Sequence, residues 1–158
     1  MNYDVVYNDV TSKLQNLNPH GICIVFDIDE TLLTNTANKI RCKSDIFRNQ
    51  RAGNLYHIPY MTKLYTECKN KGFTIALITG RTENLRDITL TNLGKYMNTD
   101  GVYLYMKPKA GIENGVFKSN VRKQIYDSGY RIIANIGDQP TDLEGGYYEN
   151  GYLLPSTY

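Results

Sequence analysis

Histidine occurs only twice in this 158-residue chain, at His20 and His57. That scarcity excludes a histidine-based metal centre or catalytic triad, and both residues read as loop positions. Cysteine is almost as sparse. Cys23, Cys42 and Cys68 are odd in number and lack metal-ligand spacing, so neither a disulfide framework nor a zinc site is expected. Cys23, inside an apolar run, reads as a small buried hydrophobe. No apolar stretch approaches membrane-spanning length, and Met1-Asn2-Tyr3-Asp4 opens without the basic and apolar regions of a secretion signal. An intracellular, cytoplasmic protein with no membrane partner is therefore the expectation. A large excess of one charge is missing too: the net charge of +2 lacks the footprint of a dedicated duplex binder, though it leaves small phosphorylated ligands open. Internal repeats and low-complexity tracts are also absent.

What is present is ordinary for a globular chain, with 41% hydrophobic and 22% charged residues. The length suits one domain over residues 1–158 with a single sizeable core. Tyrosine is abundant at 14 residues, several in or beside predicted strands. These read as sheet packing rather than as a base-stacking site.

Val6, Val10, Leu14 and Leu17 recur at helical spacing until Asn18-Pro19-His20-Gly21 breaks the helix. Residues 21–26 then form an uninterrupted, β-branched apolar run, the pattern of a strand buried on both faces of a parallel sheet. After Thr31 the chain reads as irregular. Residues 37–57 carry Lys39, Arg41, Lys43, Arg48 and Arg51 against Asp45, either a solvated surface segment or a border that attracts an anionic substrate. A helix with Pro59 near its first turn and Met61, Leu64, Tyr65 and Cys68 on one face closes at Gly72. Further on, strands are expected at 73–78, 102–105 and 131–136, helices at roughly 83–93 and 116–128, and a last short strand at 151–155. This alternation predicts an α/β fold: an open, mainly parallel, Rossmann-like sheet with helices on both faces and a small or absent cap.

The chemistry gathers where strands end. The first runs into Asp27-x-Asp29-x-Thr31, and carboxylates at i and i+2 can face one side of a strand. Carboxyl ends of parallel strands are where open α/β sheets bind ligands. Two such acids repel unless one is protonated or a cation lies between them, which points to a metal, an acid/base role or both. Capping of the next helix is the plainer alternative. The second strand ends in Thr79-Gly80 and the fourth in Asp138-x-x-x-Asp142, with Lys118 early on the preceding helix. In a parallel sheet all of these converge on one edge, where a hard cation such as Mg²⁺ offsets the acid repulsion. Thr79 could equally cap a helix, Lys107 and Lys109 rival Lys118, and Arg81 and Arg122 could bind phosphate or form structural ion pairs.

Taken in order, these pieces resemble the haloacid dehalogenase superfamily of phosphohydrolases over roughly residues 22–155. Phe26 to Thr31 with Leu33 and Asn35, Thr89-x-x-Asn92-Leu93, Phe117-Lys118-Ser119-x-x-Arg122 and Gly137-Asp138-Gln139-x-x-Asp142-Leu143 are similar to the class B acid phosphatase branch. That branch includes plant vegetative storage proteins, whose C-terminal end Tyr152-Leu153-Leu154-Pro155 resembles. The resemblance implies a Mg²⁺-dependent phosphomonoesterase acting on a small phosphorylated substrate. Asp27 would be the nucleophile that forms an aspartyl-phosphate, and Asp29 the general acid/base, a task needing a raised carboxyl pKa. Thr79, Gly80 and Lys118 would bind the phosphoryl group, Lys118 being preferred over its rivals because it matches the family spacing. Mg²⁺ would be held by the Asp27 carboxylate, the Asp29 backbone carbonyl and the Asp138 carboxylate, with Asp142 supporting the metal waters or Lys118.

Two departures stand out: Pro140 replaces an aromatic residue common in the branch, and the usual secretion signal is absent. Alternative readings are a phosphatase of nucleotide or nucleic-acid ends, suggested by the basic segment, and a non-catalytic storage or binding protein on the same scaffold.

Overall fold

A computed structural model describes residues 1–38 and 40–155, so Lys39 of the basic segment lies outside the described residues. Among these, five parallel strands form one sheet in the order β5-β4-β1-β6-β7: β1 (Ile22–Phe26), β4 (Thr74–Thr82), β5 (Tyr103–Lys107), β6 (Arg131–Gly137) and β7 (Asn150–Leu153). Central β1 is buried at every position, as its apolar run requires. Ile22, Ile24 and Phe26 pack into the core on one face and Cys23 and Val25 into a second core on the other. Residues 73–78 were expected as the second strand. It continues instead to Thr82, past an irregularity between Ile78 and Thr82 that leaves Gly80 and Arg81 outside the paired register.

Helices cover both faces. On one lie α1 (Tyr3–Leu14), with Val6, Val10 and Leu14 buried at i, i+4, i+8, and α3 (Pro59–Asn70), to which the Tyr7 hydroxyl donates through Glu67. With them runs α4 (Arg86–Gly94) after a short 3₁₀ turn. The opposite face carries α5 (Asn114–Asp127), whose Val121 and Ile125 pack with Cys23, Val25, Ala76 and Ile78. No helix among the described residues is long and apolar enough to cross a membrane.

The irregular reading of the segment after Thr31 is corrected by α2 (Lys43–Ala52) and by a small antiparallel pair, β2 (Leu33–Thr34) with β3 (Tyr56–His57). Sequence pattern hid α2 because its buried residues are the polar Asp45 and Gln50 while Phe47 faces outward. His57 is likewise no loop residue: it sits in β3, stacks on Tyr96 with ring centroids 4.4 Å apart and hydrogen-bonds the Thr62 hydroxyl. The tyrosines divide more evenly than sheet packing predicts. Tyr65 and Tyr152 are buried, whereas Tyr56, Tyr60, Tyr103, Tyr126 and Tyr147 are exposed.

Candidate active site

Strand order alone places β1 between β4 and β6, so their carboxyl ends meet at one edge. Asp27 is the first residue past β1. Its amide donates to the Ile136 carbonyl at 2.9 Å, which continues the β1–β6 ladder and fixes where the carboxylate starts. The Lys118 ammonium, one turn into α5, donates to Asp27 Oδ1 at 2.8 Å and also pairs with Asp142. The helix is set by its N-cap: the Glu113 carboxylate accepts the Gly115 and Val116 amides at 2.9 and 3.1 Å.

The turn after β6 wraps around Asp142. Asp142 Oδ2 accepts the amides of Asp138 and Gln139, both at 3.0 Å. Its carbonyl is held by Asn135 at 2.9 Å and by Arg122 at 2.8 Å. Arg122 also donates to the carbonyls of Gly146 and Glu144, so it is a backbone clamp and not a phosphate ligand. Gly137 is required here, since a Cβ would lie 2.3 Å from Asp142 Oδ2.

One carboxylate oxygen each from Asp27, Asp138 and Asp142 lie within 4.8 Å of one another, all three residues buried. Burial raises the Asp27 pKa well above the carboxylate range, and the Asp142 and Asp138 charges add to it against the pull of Lys118. Burial raises Asp138 as well. For Lys118, burial works against the charge, but Asp27 and Asp142 outweigh it and hold its pKa above the ordinary value. A buried, oxygen-only donor set with surplus negative charge fits a hard divalent cation.

Asp29 behaves differently from expectation. Its carboxylate is gripped by Arg81 through two bonds, Nε to Oδ2 at 2.9 Å and Nη2 to Oδ1 at 2.8 Å, while Nη1 donates to the Thr89 hydroxyl. Burial would raise its pKa, but the Arg81 charge and hydrogen bonds, helped by Gln50, hold it below the usual range. The raised carboxyls at this edge are Asp27 and Asp138, and not Asp29. The sequence reading missed this because Asp29 and Arg81 are 52 residues apart.

Asp27, Asp29, Gly80, Lys118, Asp138 and Asp142 line one cleft of about 620 Å³. Thr79 is fully buried beneath it, its hydroxyl accepting the Arg81 amide at 3.1 Å. The far wall is α2, with Lys43, Ile46, Phe47 and Gln50 at i, i+3, i+4 and i+7 all facing the cleft. Of the basic segment, Arg48 instead pairs with Asp45 at 2.8 Å.

A family described as HAD superfamily, subfamily IIIB (acid phosphatase), matches residues 1–154. The chain belongs to HAD subfamily IIIB. It is 31% identical over 131 residues to Acid phosphatase 1 of Solanum lycopersicum, covering 77% of this chain and 51% of that protein. Vegetative storage protein 1 of Arabidopsis thaliana is 33% identical over 87 residues, 54% of this chain and 32% of that protein. The chain thus spans about half or less of the length of these curated relatives. The class C acid phosphatase from Bacillus anthracis superposes with a TM-score of 0.74 at 20% identity, covering 98% of this chain and 76% of that one, which shows a shared fold.

One cleft residue of this HAD subfamily IIIB chain escaped the sequence reading, Glu30, while Arg81, open there between phosphate binding and an ion pair, forms the ion pair. Glu30 adopts a left-handed backbone with φ of 59°, and its carboxylate accepts the Thr34 hydroxyl and Asn35 amide, both at 2.8 Å, folding the turn after Asp29.

Proposed function

We propose that this chain is a Mg²⁺-dependent phosphomonoesterase that works through an aspartyl-phosphate on Asp27. The observation that carries the reading is the Lys118 ammonium held between Asp27 and Asp142 inside a buried carboxylate cluster. A lysine beside the attacking oxygen orients that oxygen and takes up charge on the phosphoryl group, which is most of what phosphoryl transfer asks of a protein.

An Asp27 oxygen attacks phosphorus, the ester P–O bond breaks, and Asp29 gives the leaving oxygen its proton. Water then attacks the phosphorus of the aspartyl-phosphate, Asp29 takes the water proton, and phosphate departs as the Asp27–phosphorus bond breaks. Arg81 favours the ionised Asp29 that the second step needs. Gly80 and the hydroxyl of Thr79 support the phosphoryl group from β4, and Asp142 positions Lys118. The Asp27 and Asp138 carboxylates with the Asp29 carbonyl would hold Mg²⁺. Bound there, Mg²⁺ supplies neutralising charge and Lewis acidity to the phosphoryl oxygens.

The leaving group lies along α2, where Phe47 is 54% exposed and Ile46 and Leu85 supply apolar surface. Small phosphorylated molecules are the substrate class this cleft suits. Phosphate release from an aryl phosphate, followed with Mg²⁺ and with EDTA, tests the reading. Turnover is expected with Mg²⁺, lost on chelation and abolished in Asp27→Asn with the fold intact. Undiminished turnover in Asp27→Asn would overturn the mechanism. No turnover in wild type on a broad panel would favour the storage reading that the Arabidopsis relative's name supports.

A further inference from the structure

Lys107 ends β5, paired in register with Thr82 of β4. It is buried to 9% exposure, yet among the described residues it makes no hydrogen bond or ion pair. A lysine of this kind buries its stem against the protein and keeps its charged end at the surface. The acid that attracts it, Glu113, is already engaged with the Gly115 and Val116 amides as the cap of α5. The other close charge is Lys118, which repels it, and burial together with that repulsion lowers the Lys107 pKa. No side-chain nitrogen or oxygen among the described residues is both sealed and unpartnered, so the Lys107 ammonium opens to solvent.

Lys107 does not itself line the cleft but adjoins residues that do. Thr82, Asn114 and Lys118 are all lining residues, and Lys107 stands beside the first, next to the cap that precedes the second, and within electrostatic reach of the third. Lys118 is saturated by Asp27 and Asp142, whereas Lys107 has only the longer-range attraction of Glu113 and no ion pair among the described residues.

We propose that Lys107 binds a second anionic group on the substrate, a carboxylate or phosphate carried by the leaving group, at the β5 end of the cleft. The inference rests on reading the cleft as a phosphoryl site and names the substrate class more narrowly: phosphate monoesters with a further negative charge. A simple alcohol phosphate leaves the Lys107 charge uncompensated. A doubly anionic one pairs it through a charge-assisted hydrogen bond.

Equilibrium binding in excess Mg²⁺ tests this with three unreactive probes: methylphosphonate, phosphonoacetate and methylenediphosphonate. At least one two-anion probe should bind about tenfold or more tightly than methylphosphonate, the range for a hydrogen bond to a charged group. Which of the two does so tells carboxylate from phosphate. Lys107→Met should erase that gap and Lys107→Arg should keep most of it. The idea is overturned if neither two-anion probe binds more tightly in the wild type, if no probe binds, if the gap survives in Lys107→Met, or if that variant weakens all probes equally. The wild-type comparison decides even should Lys107→Met fail to fold. Because the readout is binding, a chain that shows the gap but hydrolyses nothing refutes the proposed activity and leaves the Lys107 assignment standing.

Discussion

The two walls of the cleft are built on opposite principles. On the side of β1, β6 and α5, each charged group is buried and bonded: Lys118 to Asp27 and Asp142, Asp142 to two amides, and Arg122 to three carbonyls. On the α2 side, Phe47 stands 54% exposed and Lys43 forms no ion pair among the described residues. The first wall has its geometry fixed before any ligand arrives, as electrostatic positioning requires. The second presents unfilled surface, which suits contact with a variable leaving group. On the proposed activity, chemistry falls to one wall and selectivity to the other, and the contrast can be tested from either side.

Removing Lys118 should do the most damage. Lys118→Met leaves Asp27 and Asp142 buried beside each other without their shared cation, and loss of one partner from a buried pair costs about 3–5 kcal/mol. Denaturant unfolding should report that loss in the absence of Mg²⁺. Phosphatase kcat/KM should drop by roughly a thousandfold, in the range seen when a main transition-state donor is removed. Wild-type stability in this variant would mean that the wall is not held by the pair.

Next comes Gly137→Ala, which probes the same wall through backbone alone. The added Cβ meets Asp142 at 2.3 Å, so the turn that carries Asp138 must move. Overpacking of this kind costs about 1–3 kcal/mol. Mg²⁺ affinity measured by calorimetry should fall with stability, and an unchanged affinity would separate Asp138 from the metal.

Phe47→Ala on the facing wall should have the smallest effect. KM for a bulky aryl phosphate is expected to rise about fivefold more than KM for a small alkyl phosphate, the scale of one apolar contact of about 1 kcal/mol. Thermal unfolding should barely change, since the side chain is half exposed. A large fall in kcat on small esters would erase the distinction between the walls.

Much of the first wall was legible in sequence. Residues 22–26 could only be a doubly buried strand, and the acids that follow had to emerge at its carboxyl end. Asp138 followed from the same reasoning applied to β6. The second wall was not legible, because a helix that buries Asp45 and Gln50 and exposes Phe47 carries no apolar stripe. Nor could local pattern show that Asp29 is gripped by Arg81, which inverted the expected direction of its pKa. The choice among Lys107, Lys109 and Lys118 rested on family spacing. Coordinates place Lys118 on Asp27, leave Lys109 exposed, and bury Lys107 without a partner.

By itself the sequence determined which segments build the five-stranded sheet and that acids sit at the ends of its central strands, because periodicity and burial preference act over a few residues. Tertiary structure alone decided which charges pair. Coulomb energy depends on separation in space, and the 91 residues between Asp27 and Lys118 close to 2.8 Å only once β1, β4, β6 and α5 have packed.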